Sequence, residues 1–153
     1  MKIFKIIGWT LAGLIVLIQF IPVTFPETGE MDENDLFKTT TVPEEVGSII
    51  KNACYDCHSS QTRYPWYTYI APAKWLIIQD VNKGRKELNF SGWDSLNIRN
   101  KIKLLDEIAE EVEEGNMPLP IYTLLHPECS LNEEEREMLT DWTEQMMNDL
   151  LGD

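Results

Sequence analysis

Apolar and polar positions along the chain sort into one unbroken apolar run and several shorter helical stripes. The run comes first. After Lys2 and Lys5, residues Ile6 to Ile21 carry no charge, with Thr10 and Gln19 as polar interruptions. A helix from Ile3 to Val23 is roughly 30 Å long at about 1.5 Å per residue, enough to cross the hydrocarbon core of a bilayer. Trp9 near one end and Phe20 and Phe25 near the other suit the two interfaces. The pattern predicts an uncleaved membrane anchor over 1–25. A cleaved signal peptide is the alternative; against it, Gln19-Phe20-Ile21-Pro22 is bulky where a small-x-small cleavage site is needed. No cysteine follows at a lipoprotein position. In both readings the lysines stay inside and the remainder is exported.

Residues 26–41 are polar and acidic, with Glu27, Glu30, Asp32, Glu33 and Asp35 and little periodicity. Self-repulsion predicts an extended tether there. From 42 to 153 the pattern is helical. Thr41-Val42-Pro43-Glu44 has the form of a capping box with proline in the first turn. Val46, Ile49, Ile50 and Ala53 then make one apolar stripe running into Cys54. A second helix is predicted from near Pro72, carrying Trp75, Leu76, Ile78 and Val81 and weakening by Gly84. A third is predicted from Asp94 or Ser95, with Ile98, Ile102, Leu105, Ala109 and Val112 at helical spacing and Gly115 at its end. Ser130-Leu131-Asn132-Glu133 reads as the capping box of a last helix that lines up Leu139, Trp142, Met146 and Leu150. No segment sustains a strand alternation, so the fold class is all-α.

Composition adds two bounds. At 43% hydrophobic and 10% aromatic, the chain has enough apolar material for a packed core. A formal net charge of −13 repels nucleic acid and favours protein partners with basic docking surfaces, or simply keeps the domain soluble.

The chemistry concentrates at Cys54-Tyr55-Asp56-Cys57-His58. A c-type haem carries two vinyl groups, each of which takes one cysteine thiol, and the adjacent histidine can then reach the iron. A thioredoxin-like pair would want a preceding strand and a βαβ pattern, which the sequence lacks. A zinc site would have to draw on Cys54, Cys57, His58, His126 and Cys129, at no familiar spacing. With three cysteines, Cys129 is left as a free thiol.

For the second iron ligand the candidates are Met117, His126, Met138, Met146, Met147 or an open site. Met117 stands out because it follows Gly115 and sits before two prolines in Asn116-Met117-Pro118-Leu119-Pro120, which stiffen the loop. His126, before Pro127, comes second, and the other methionines suit helix packing. Arg63-Tyr64-Pro65-Trp66-Tyr67-Thr68-Tyr69 follows the motif, and Arg63 and Trp66 are candidates to hold the haem propionates and wall the ring. Ordinary core and rim aromatics fit the same stretch, and Lys83, Arg85 and Lys86 fit either propionate pairing or a solvated face.

These residues carry a resemblance. Ala53-Cys54-Tyr55-Asp56-Cys57-His58-Ser59, Tyr64-Pro65-Trp66-Tyr67, Ile70-Ala71-Pro72, Leu88-Asn89-Phe90-Ser91, Met117-Pro118, Tyr122, His126-Pro127-Glu128 and the last helix with Trp142 resemble the bacterial haem-binding-domain proteins, relatives of monohaem cytochrome c. The resemblance runs from about Val42 onward. It implies a cytochrome c-like helical domain behind an N-terminal membrane segment, one haem c on Cys54 and Cys57, His58 as proximal ligand and Met117 as distal ligand. The function expected is single-electron transfer outside the cytoplasm by a single-pass protein of the cytoplasmic membrane, with its haem domain on the periplasmic side. The alternative is a haem-based peroxidase or a gas or redox sensor with a labile distal site.

Overall fold

The structure is a computed structural model that describes residues 2–152. Among the described residues every regular element is helical, as the apolar periodicity predicts. Helix α1 (Lys2–Gln19) is the N-terminal apolar run; it buries none of its residues and is long and apolar enough to cross a membrane. Then come α2 (Leu36–Thr39), α3 (Glu44–Ala53) and the single turn α4 (Tyr55–His58). After a 3-10 turn at Trp66–Tyr69 follow α5 (Ala73–Glu87) and a second 3-10 turn at Phe90–Ser95. The chain closes with α6 (Ile98–Glu113), α7 (Pro120–Leu125), a short turn at Pro127–Cys129, and α8 (Glu133–Gly152).

The core lies where α6 packs along α8, with α3 against α8 from the side. Leu36, Ile50, Phe90, Trp93, Leu105 and Leu139 are essentially sealed from solvent. Each such side chain stabilises the fold by roughly 1.5–3 kcal/mol relative to exposure. The joint between α6 and α8 is also polar: the Arg136 guanidinium donates to the Val112 carbonyl at 2.6 Å, taking up an orphan acceptor at the end of α6. Gly115 follows with φ +74°, the left-handed conformation that a helix stop requires.

Several helix starts differ from the sequence pattern. Pro43 takes the cap position of α3, and no side chain caps it. Asp94 and Ser95 do not begin α6, because the turn at Phe90–Ser95 buries Phe90 and Trp93; Asn97 is the cap, accepting from the Asn100 N–H at 2.9 Å. At α8 the capping box is real but two residues later. Asn132 accepts from the Glu135 N–H and Glu135 accepts from the Asn132 N–H, both at 2.9 Å, while Ser130 closes the preceding turn. Helix α5 runs through Gly84 rather than weakening there.

The largest departure concerns residues 26–41, expected to be an extended tether. They lie on the domain. The Pro26 carbonyl accepts from the Tyr64 hydroxyl at 3.1 Å, the Glu27 carbonyl accepts from Arg85 at 2.7 Å, and Gly29 N–H donates to Ser60 at 2.9 Å. Leu36 enters the core and Asp35 is fully buried. The Asp35 carboxylate accepts from the Phe37 N–H at 3.0 Å, Tyr55 Oη at 2.8 Å, Ser91 Oγ at 3.2 Å and Gln61 Nε2 at 3.3 Å. One carboxylate thus joins α2, α4 and the Phe90–Ser95 turn. Self-repulsion of the acidic run is outweighed because its buried member has four donors and its carbonyls have partners.

Asp35→Ala leaves several buried donors without an acceptor, and we expect a loss of about 3 kcal/mol in urea unfolding. A variant as stable as the parent would contradict this account of the 26–41 segment.

Candidate functional site

The Cys54–His58 motif begins where α3 stops. Cys54 N–H still donates to Ile50 at 3.0 Å, and then the Cys54 carbonyl accepts from Cys57 N–H at 3.1 Å and His58 N–H at 2.9 Å. That turn sets the two thiols three residues apart with the imidazole immediately after. Burial pushes the Cys54 thiol up to about 12, with Cys57 adding to it, and burial pushes Cys57 up to about 11. A disulfide-exchanging pair needs the opposite shift, toward thiolate at neutral pH. Among the described residues there is also no strand before the motif and no cluster of three or more metal-ligating side chains.

His58 is held from behind. Its Nδ1 lies 3.1 Å from the Leu88 carbonyl just past α5, and a carbonyl only accepts, so Nδ1 carries the proton. Nε2 is then the bare lone pair, the form in which histidine binds a metal. Burial lowers the His58 pKa below the ordinary imidazole range and favours this neutral ring.

The end of α5 reaches the motif because of Gly84. A Cβ at this position would lie 2.7 Å from the Cys57 carbonyl oxygen and 3.3 Å from Cys57 Cβ, so only glycine lets α4 and α5 touch. The sequence pattern read Gly84 as a weak point in a helix; the structure makes it a contact surface.

A cavity of about 910 Å³ opens beside this turn, at the upper end of the range for cofactor sites. Its lining includes Cys54, His58 and Met117, with apolar walls from Ile50, Leu104, Ile108, Val112, Leu139 and Trp142. Met117 arrives from the loop after Gly115, where the Asn116 and Met117 N–H groups both donate to the Glu111 carbonyl at 3.0 Å. Lys83, Lys86 and Lys103 stand on the lining with Glu87, Glu107, Glu110 and Glu111. Lys103 is paired with Glu107 at 2.6 Å, whereas no carboxylate pairs with Lys83 or Lys86 among the described residues. A large apolar ligand with an anionic edge and a metal that takes nitrogen and sulfur donors fits this set; haem has those properties.

Cys57, whose backbone and Cβ face Gly84, is not on the cavity lining, and several other sequence-predicted positions are not brought there either. Arg63 turns to Asp56, with Nε at 3.1 Å and Nη2 at 3.3 Å from its two oxygens, so its charge is already satisfied. Trp66 is 75% exposed and packs edge-on against Tyr67. His126 bonds the Tyr67 hydroxyl through Nε2 and Glu128 through Nδ1, which turns it away from the lining. Met138, Met146 and Met147 pack against the core, and Cys129 is a buried free thiol. Sequence reasoning also passed over Asp56. It accepts from the Arg63 N–H at 3.0 Å and the Tyr122 hydroxyl at 2.8 Å, tying α7 to the outer side of the motif.

The profile of a family described as a haem-binding domain matches residues 13–145 of this chain. Among curated proteins, cytochrome c peroxidase Ccp of Escherichia coli (strain K12) is 28% identical over 100 residues, covering 63% of this chain. The chain spans 22% of that relative's length. No solved structure matches it significantly.

Gly84→Ala gains up to about 1 kcal/mol of helix propensity but forces α5 off α4, an overpacking cost of about 1–3 kcal/mol. We expect a net loss of about 1 kcal/mol in chemical unfolding, with a changed near-ultraviolet circular dichroism signal from the aromatics beside the motif. An alanine variant more stable than the parent would show that the contact is not tight.

Proposed function

Since the chain belongs to the haem-binding domain family, we propose that it is a membrane-anchored c-type cytochrome, with one covalent haem, that passes single electrons outside the cytoplasm. The observation that carries this reading is one cavity lined jointly by Cys54, His58 and Met117. Bound haem supplies an iron centre that gains and loses one electron at a time.

The chain's own residues have separable tasks in this reading. The Cys54 and Cys57 thiols would hold the group covalently, each by adding its S–H across one vinyl double bond with no atom lost. His58, neutral and fixed by the Leu88 carbonyl, offers Nε2 to the iron. Met117 would offer a soft thioether from the loop after Gly115, a ligand that would favour the reduced state and raise the potential. Lys83 and Lys86 offer charge to the propionates, a role the sequence also allowed to Arg85. Arg85 is instead spent on Glu27 and Thr62. The apolar walls limit water at the metal, and the acidic exterior steers partners with basic docking surfaces toward the domain. Helix α1 supplies the anchor, with the lysines at its start on the cytoplasmic side.

A second reading, peroxide reduction at an open distal position, is favoured by the similarity to a cytochrome c peroxidase. The second histidine, His126, gives it no acid–base help, since it is engaged with Tyr67 and Glu128. Absorption spectra of the ferric protein separate the two. We expect a sulfur-to-iron charge-transfer band that disappears in Met117→Ala, together with roughly tenfold or more faster carbon monoxide binding to the reduced variant. A parent protein that lacks the band, binds carbon monoxide rapidly and turns over peroxide would instead support the peroxidase reading.

A further inference from the structure

Helix α1 has 18 residues, which at about 1.5 Å each is roughly 27 Å, close to the thickness of a bilayer's hydrocarbon core. Its last residue, Gln19, therefore falls at the membrane boundary if α1 spans. Gln19 is fastened to the domain in both directions: its Oε1 accepts from the Ala71 N–H at 2.8 Å and its Nε2 donates to the Ala71 carbonyl at 3.2 Å. The Lys74 ammonium, only 5% exposed, donates to the carbonyls of Gln19 and Ile21 at 3.0 Å each. A cation at the C-terminal end of α1 satisfies orphan carbonyls and opposes the helix dipole. Phe25 then packs against Tyr64 and Tyr69, with ring centroids 5.3 Å apart in each case. One particular edge of the domain is thereby clamped to the end of the apolar helix.

That edge is apolar and aromatic on its outer side. Trp66 is 75% exposed, Tyr69 60% and Ile70 46%, and Phe20 at the helix exit is 78% exposed. Ile70 adjoins the residue that Gln19 holds, so these side chains lie close to boundary depth. Charge agrees. In a chain of net charge −13, the stretch from Arg63 to Lys74 contains two basic residues and no acidic one. Elsewhere the acidic surface would be repelled by anionic lipid, but this stretch would not be. With Arg63 paired to Asp56 and Lys74 buried, it is the exposed aromatic side chains with their polar tips that suit the headgroup layer.

We propose that the Trp66–Ile70 turn is a membrane foot: Trp66, Tyr69 and Ile70 enter the headgroup layer of the leaflet from which α1 emerges. The inference rests on the reading of α1 as an anchor. The foot fixes the orientation of the domain on the bilayer. Lys74 lies at the foot and Lys86 on the cavity, separated by 12 residues of α5, or roughly 18 Å of helix. The cavity is thus presented in one fixed pose rather than on a swinging tether.

The test uses the full, haem-loaded chain in nanodiscs containing phosphatidylglycerol, in a Cys129→Ser background. An environment-sensitive fluorophore is placed through Tyr69→Cys, or through Glu144→Cys on the exposed face of α8 as the reference. We expect iodide quenching roughly threefold weaker at 69 than at 144, with stronger quenching at 69 by nitroxide-labelled lipid. A Trp66→Ser, Ile70→Ser variant carrying the same label at Tyr69→Cys should lose that protection while keeping its haem content. Equal iodide quenching at 69 and 144, with the chain still retained in the disc, overturns the foot and leaves the anchor standing. A chain released from bilayers by alkaline carbonate overturns the anchor, and the foot with it. Protection at 69 that grows with the number of chains per disc assigns the patch to a second copy and also overturns the proposal.

Discussion

A side chain at position 84 would place its Cβ 2.7 Å from the Cys57 carbonyl oxygen, so α5 can lie against α4 only while that residue is glycine. From this backbone contact much of the site follows. With α5 seated there, its end brings the Leu88 carbonyl to 3.1 Å from His58 Nδ1, which sets the tautomer and leaves Nε2 free. The next turn carries Phe90 and Trp93 into the core and Ser91 to the Asp35 carboxylate. A rigid joint between two short backbone segments therefore orients the imidazole more firmly than a side-chain contact would, since neither partner has rotamers to spend.

The second organising group is Asp35. A buried carboxylate is costly unless it is fully hydrogen-bonded, and here four donors from separate parts of the chain converge on it. This arrangement makes the 19–41 segment part of the folded domain. The polar clamp of Gln19 and Lys74 continues it to the end of α1. The two ends of that segment are thus fixed by different chemistry, a buried anion at one and a buried cation at the other. Asp35 takes up N–H and O–H donors and Lys74 takes up carbonyls, so irregular backbone is held against helices with its polar groups paired.

Much of the site was legible because its chemistry is local. The thiols and imidazole are adjacent in the chain, and Met117 is announced by Gly115 and two prolines. The all-α class followed from apolar stripes, whose period depends only on near neighbours. What sequence could not give were partners chosen across the fold. Arg63 is drawn to Asp56, seven residues back, and away from the cavity; Trp66 stands exposed on the outside of the domain; His126 finds Tyr67 and Glu128. Gly84 read as a weak helix position because the pattern along one helix does not reveal which backbone approaches it. The acidic run read as a tether because net charge per segment hides one buried member.

The family supplies the haem-binding identity, and the geometry brings Cys54, His58 and Met117 to one cavity. Covalent attachment is the central claim. Intact mass combined with acid–acetone extraction, on the full chain matured in a host that assembles c-type cytochromes, tests it most directly. The account predicts a mass increased by one haem that resists extraction, and its loss when Cys54 and Cys57 are both replaced by serine. Haem that extracts completely, leaving the mass of the bare polypeptide, would contradict it.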